Sequence, residues 1–135
     1  MSALEVTATF HGGYAATVHA RGHELAVDEP AEVGGGDGGM MPTELLISSL
    51  ASCFALALGH VARKRDRELP NLRVSVAAHR ASGELRYEKL TVTAFADVPG
   101  DELAALVARA RRFCWVSNTF AKPPEITYES ATEDP

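Results

Sequence analysis

Residues 42–65 read PTELLISSLASCFALALGHVARKR, and the rest of the chain is best read outward from this stretch. Pro42 stands at or just before the first helical position, where its missing N–H costs little, and Glu44 falls in the first turn, where a negative charge is favoured. From Thr43 to about Arg65 the pattern predicts one long helix of Leu, Ala, Ser, Phe and Val, with almost no charge before His60. A helix apolar on nearly every face must be buried on nearly every face. A single small sheet covers one side only, so the other side is expected to pack against a second subunit, which makes a homodimer the expected state.

On the N-terminal side, Leu4 to Phe10, Tyr14 to His19 and His23 to Val27 alternate apolar and polar residues, with Gly12-Gly13 and Gly22 between them. They predict three antiparallel strands joined by tight turns. Asp28 to Met41, DEPAEVGGGDGGMM, is loop by composition and is not a phosphate loop, because no Lys-Ser or Lys-Thr pair follows its glycines. On the C-terminal side, Leu72 to Arg80 and Lys89 to Val98 predict two more strands, with Ala81-Ser82-Gly83-Glu84 as a hairpin connection. Pro99-Gly100-Asp101 opens a second helix with Asp101 as its expected N-cap, and Leu103, Leu106, Val107, Ala110 and Phe113 keep helical spacing. Cys114 ends that helix or begins a next short one, Glu125 to Glu129 reads as a final strand, and the tail SATEDP is small, polar and expected to fray. The sum is an α+β class with an antiparallel sheet on a long central helix, one domain over residues 1–135, and no internal repeat.

Composition narrows the function. With 46% hydrophobic and 23% charged residues in 135, the chain is globular and long enough to bury one core. No apolar run approaches the ~20 residues that cross a bilayer, so no membrane is expected. MSALEVTATF lacks the basic and apolar regions of a signal peptide, which predicts a cytoplasmic protein with reduced thiols and, at most, a transient disulfide. The net charge of −5 works against phosphate backbones, so nucleic acid is not an expected partner. The two basic clusters, Arg63 to Arg67 and Arg109 to Arg112, lie near predicted helix C-termini, where cations oppose the macrodipole.

Two cysteines remain. Cys53 lies in the middle of the long helix and Cys114 lies 61 residues later, a spacing that is neither CxxC nor a zinc-ligand set. A free cysteine often behaves as a small buried hydrophobe, and that reading stays open. Thiol chemistry needs the thiolate, and Cys53, about ten residues into the helix, is beyond help from the macrodipole. It therefore needs a cation or donor from another element. His60 shares the Cys53 face but sits two turns away, roughly 10 Å along the axis. Glu44 falls on roughly the opposite side of the helix, with a default role as a helix N-terminal charge and, as a candidate site residue, the alternative role of orienting an active-site cation. His11, His19, His23, His60 and His79 lack metal-ligand spacing, so no metal and no cofactor are expected, and Ser48, Ser49 and Ser52 lack a nucleophile elbow.

PTELLISSLASC followed by an apolar stretch, CWVSNTF 61 residues on, GHELAVDEP and the Gly-rich GGGDGG together resemble the OsmC/Ohr superfamily, the osmotically inducible and organic hydroperoxide resistance proteins, from about Tyr14 to Tyr128. The resemblance implies an intertwined homodimer with two long central helices wrapped by sheets from both chains. It implies that Cys53 is the peroxidatic and Cys114 the resolving cysteine in reducing an organic hydroperoxide, by way of a sulfenic acid and then a disulfide that a dithiol, lipoyl-type in several members, reopens. Catalytic members place a glutamate ten residues before the peroxidatic cysteine, where this chain has Thr43 with the acid displaced to Glu44. They also carry an early arginine where this chain has Tyr14. Arg21, the only arginine before the long helix, is then the candidate thiolate-stabilising cation. The second motif is Cys-Trp rather than the Cys-Pro of peroxidases, which points to the OsmC-like branch. Leu50 and Phe54 beside Cys53 suit an alkyl or fatty-acid peroxide. A non-catalytic or small-molecule-binding dimer, and a disulfide sensor without turnover, are the alternatives.

Overall fold

Strands at the start of the chain are set by turns that need positive φ. In the computed structural model, which describes residues 3–132, β1 (Thr7–Gly12), β2 (Ala15–Ala20) and β3 (His23–Val27) form an antiparallel sheet in the order β1-β2-β3. Ala20 pairs with His23 across a two-residue turn in which Arg21 has φ 55° and Gly22 has φ 99°, the signature of a type I′ hairpin. β1 begins at Thr7 rather than Leu4, and its register shifts between Phe10 and Gly12. Every residue of β1 is exposed.

The glycine-rich segment is a loop, as expected, but an ordered one. The Asp28 carboxylate accepts N–H bonds from Glu29 at 2.7 Å, Gly38 at 3.1 Å and Gly36 at 3.4 Å, while the Asp28 N–H donates to the Met40 carbonyl at 3.1 Å. Two of its glycines are required by close approach. A Cβ on Gly35 would stand 1.9 Å from the Glu29 carbonyl oxygen, and one on Gly39 would stand 2.2 Å from that of Ala26.

The loop delivers the chain to α1 (Pro42–Lys64), where the Glu44 carboxylate accepts the Met41 N–H at 2.9 Å and satisfies one orphan donor of the helix start. Leu50, Phe54, Ala57, Leu58, Val61 and Ala62 are buried on one side. The expectation that no apolar run reaches bilayer length does not hold. By length and composition, α1 is long and apolar enough to cross a membrane. Its serines interrupt the strictly apolar run in the sequence without lowering the average enough, and burial against protein along one side is the pattern of a core helix.

β4 (Arg73–Arg80) and β5 (Tyr87–Phe95) form a two-stranded sheet closed by the Ala81 N–H bond to the Arg86 carbonyl at 3.0 Å. At the open end, the Asp97 N–H donates to the Pro70 carbonyl at 2.9 Å. Helix α2 (Gly100–Ala110) follows with Pro99 at the N-cap, which corrects the placing of Asp101: it lies inside the first turn and makes no cap bond. Pro99 is already extended there, and Asp101 serves the macrodipole instead. A 3₁₀ turn over Arg111–Phe113, the extended residue Cys114 and α3 (Trp115–Ala121) follow α2.

The expected strand at Glu125 to Glu129 does not form. Its residues are exposed and, among the described residues, no strand pairs with them, so alternation alone does not make it a strand. The end of the SATEDP tail, residues 133–135, lies outside the described residues.

Contacts divide the chain into two compact units, Met1–Ser49 with Ala77–Leu90, and Leu50–Val76 with Thr91–Pro135. The buried apolar side chains are concentrated in the second unit, on α1, α2 and Cys114.

Candidate active site

Both cysteines fall in the second unit, and both are free thiols. Cys53 is half-buried in the middle of α1, while Cys114 has no exposed surface at all. Cys114 owes its position to a break between helices. Its backbone is extended, at φ −91° and ψ 100°, so it caps α3 and turns the chain out of the preceding 3₁₀ turn. The Cys114 carbonyl accepts the Asn118 N–H at 3.0 Å and the Ser117 hydroxyl at 3.2 Å. The Asn118 side-chain amide donates to the Arg112 carbonyl at 3.2 Å, tying α3 to the turn before it.

One contact relates the two segments. The His60 and Phe113 rings meet edge to face, with centroids 5.2 Å apart and planes at 61°. His60 follows Cys53 by two helical turns on the same face of α1, and Phe113 is the residue before Cys114. The turn that carries the buried thiol is thereby packed on the face of α1 that carries the half-buried one.

The other candidate residues lie in the first unit. Arg21 is exposed at the tip of the β2–β3 turn in a left-handed conformation. Glu44 is exposed and engaged as the cap of α1, Thr43 is exposed beside it, and Tyr14 is exposed in the β1–β2 turn. Among the described residues, no group of three or more His, Cys, Asp or Glu side chains gathers where a metal ion would bind.

Sequence reasoning missed Asp28, which is buried at the centre of the glycine-rich loop. Its carboxyl is held below the ordinary value of 3.8, chiefly by the Gly38 N–H and then by that of Glu29; burial opposes the shift, and Gly36 adds to it. An acid directly before a run dense in glycine was the available signal, since free backbone N–H groups there seek an acceptor.

Among the described residues the chain is an α+β protein of two small antiparallel sheets and three α-helices, with one free thiol in the long apolar helix and a second buried at the cap of a short one. The chain belongs to the OsmC family: the model of OsmC-like proteins matches residues 34–129. Among solved structures it is similar to an OsmC-like protein of Mycoplasma pneumoniae, at 16% identity and a TM-score of 0.76, covering 90% of this chain and 89% of that one. It is similar to an organic hydroperoxide resistance protein OsmC of Legionella pneumophila at 29% identity and a TM-score of 0.67, with coverage of 89% and 90%. An organic hydroperoxide resistance protein of Elizabethkingia anophelis matches at 24% identity and a TM-score of 0.65, with coverage of 88% and 89%. No curated protein matches the chain.

Proposed function

We propose that this protein reduces organic hydroperoxides with its two cysteines, as a cytoplasmic homodimer recharged by a dithiol. The observation that carries the proposal is the packing of Phe113, the residue before Cys114, on His60 of α1, two helical turns after Cys53. The exposures of the two thiols suit their roles. A peroxide arriving from solvent can meet the half-buried Cys53, whereas the sealed Cys114 can react only with a group presented inside the protein. The hydroperoxide resistance protein of Legionella supports the same activity by its likeness.

In this reaction the Cys53 thiolate attacks the terminal oxygen of ROOH. The O–O bond breaks, RO⁻ takes a proton and leaves as the alcohol, and Cys53 becomes a sulfenic acid. The Cys114 sulfur then attacks the Cys53 sulfur, forming S–S and releasing the hydroxyl with a proton as water. A dithiol, of lipoyl type in this proposal, returns both sulfurs to thiols by exchange and is itself oxidised to a disulfide.

Apolar surface that a single chain leaves open supports the homodimer. Leu56, in the middle of α1, is 76% exposed, Phe10 on β1 is 71% exposed and Trp115 at the start of α3 is 82% exposed. The test of the chemistry is to add one equivalent of cumene hydroperoxide to the reduced protein and follow free thiols and the Cys53 to Cys114 disulfide by mass spectrometry, beside hydrogen peroxide and a Cys53→Ser variant. Rapid disulfide formation that needs Cys53 and prefers the organic peroxide is the expected result. Thiols that stay reduced with both peroxides would refute the peroxidase and leave a small-molecule-binding dimer as the reading to pursue.

A further inference from the structure

The two basic clusters of the sequence, one at the end of α1 and one at the end of α2, meet around one opening. Lys64, Arg65, Arg109 and Arg112 surround a cavity of about 210 Å³ that His60 and Phe113 also line. Among the described residues, none of these four cations forms an ion pair; the pairs are His19 with Glu24, Arg67 with Glu102, and Arg86 with Glu84. Glu102, the acid of α2 that borders the next depression, is engaged by Arg67 at 3.4 Å.

Cations are favoured at helix C-termini, and that accounts for Lys64 and Arg109 taken singly. It does not account for four cations in one hollow on a chain of net charge −5. Like charges gathered so closely repel one another, and an anion entering between them relieves the repulsion. The hollow also has a defined wall. The Arg112 guanidinium lies 5.8 Å from the centre of the Phe113 ring, which packs in turn on His60. An arginine resting on an aromatic face presents an ordered fork of donors suited to carboxylate and phosphate oxygens, beside an apolar surface.

We infer that this cavity binds a small organic oxyanion, a carboxylate or phosphate group on a compact apolar body. The oxygens meet Arg109, Arg112, Lys64 and Arg65, and the body rests on Phe113 and His60. The volume is below that of a site for a drug-sized ligand and suits a body about the size of one ring. Neither cysteine lines the cavity, so the site stands or falls independently of the proposed peroxidase.

Calorimetric titration of the full chain with phenyl phosphate, benzoate, inorganic phosphate and phenol tests the inference. Saturable binding of phenyl phosphate or benzoate is expected, with inorganic phosphate weaker, phenol silent and affinity falling as salt rises; the tighter of the two aromatic anions identifies the preferred oxyanion. The double variant Arg109→Gln with Arg112→Gln is expected to bind about tenfold or more weakly, and Lys64→Gln more weakly than the parent. Both variants should keep the parent's circular dichroism. Arg86→Gln, which removes an exposed charge paired with Glu84, is expected to leave binding unchanged. The inference is overturned if neither aromatic anion saturates, if the double variant binds as tightly as the parent, or if Arg86→Gln weakens binding as much as the cavity variants do.

Discussion

Replacing Leu58 and, separately, Leu56 by alanine turns the proposed dimer into a measurable difference between two leucines of one helix. Leu58 has no exposed surface within the chain, and Leu56, two positions earlier, is 76% exposed. Leu58→Ala removes three buried carbons at about 0.8 kcal/mol each, roughly 2.4 kcal/mol of transfer free energy. The cavity left behind raises the cost to about 3–4 kcal/mol, which lowers the melting temperature by about 12 °C in a domain of this size. For Leu56, about a quarter of the side chain is shielded by its own chain, so the single-chain expectation is only about 0.6 kcal/mol. If the exposed side of α1 packs against a second copy, Leu56→Ala instead loses a buried side chain from each subunit, and its cost approaches that of Leu58→Ala. The melting temperature then also rises with protein concentration, because association is linked to folding. The assay is thermal unfolding of parent and both variants over a hundredfold range of concentration, with sedimentation to read the molecular mass. Dimerisation through α1 predicts a costly Leu56→Ala and a concentration-dependent midpoint. A near-neutral Leu56→Ala with a concentration-independent midpoint, beside a costly Leu58→Ala, would refute it.

Three further outcomes follow from the first unit. Gly39→Ala places a methyl group 2.2 Å from the Ala26 carbonyl oxygen, where only backbone can yield, and is expected to lower stability by about 2 kcal/mol or more in urea unfolding. Because the Asp28 carboxyl is held below 3.8 in the folded state, its contribution is complete above that value and is lost as pH falls through the lowered value. The stability gap between the parent and Asp28→Asn, measured by urea titration from about pH 6 to pH 2, should therefore close only below about pH 4. Glu44→Ala removes the acceptor of the Met41 N–H and is expected to lower the unfolding free energy by about 1 kcal/mol, with the loss of helical signal confined to the start of α1.

The elements that the sequence made legible are those whose signals are local. Pro42, Glu44 and the long, nearly uncharged apolar pattern announced α1 to within a residue at each end, and the alternation around Gly12-Gly13 and Gly22 announced the three-stranded sheet. Where the outcome depended on something distant, local pattern failed. The alternation of Glu125 to Glu129 describes a segment able to pair, yet among the described residues nothing pairs with it. Asp28 was passed over because its partners, the N–H groups of Gly36 and Gly38, become donors to it only once the loop has folded back on itself. The site divides in the same way. That the two cysteines act as a pair is what the resemblance implies, whereas the ring contact between His60 and Phe113 that relates their segments has no signature in either stretch alone. The basic clusters make the point most clearly. Each reads, by itself, as an ordinary answer to a helix dipole, and only the packing of the end of α2 beside the end of α1 turns two unremarkable helix ends into one cationic hollow. Charges that explain themselves locally can acquire a second role where two elements meet, and such junctions are where this fold has most room to carry a function its sequence does not announce.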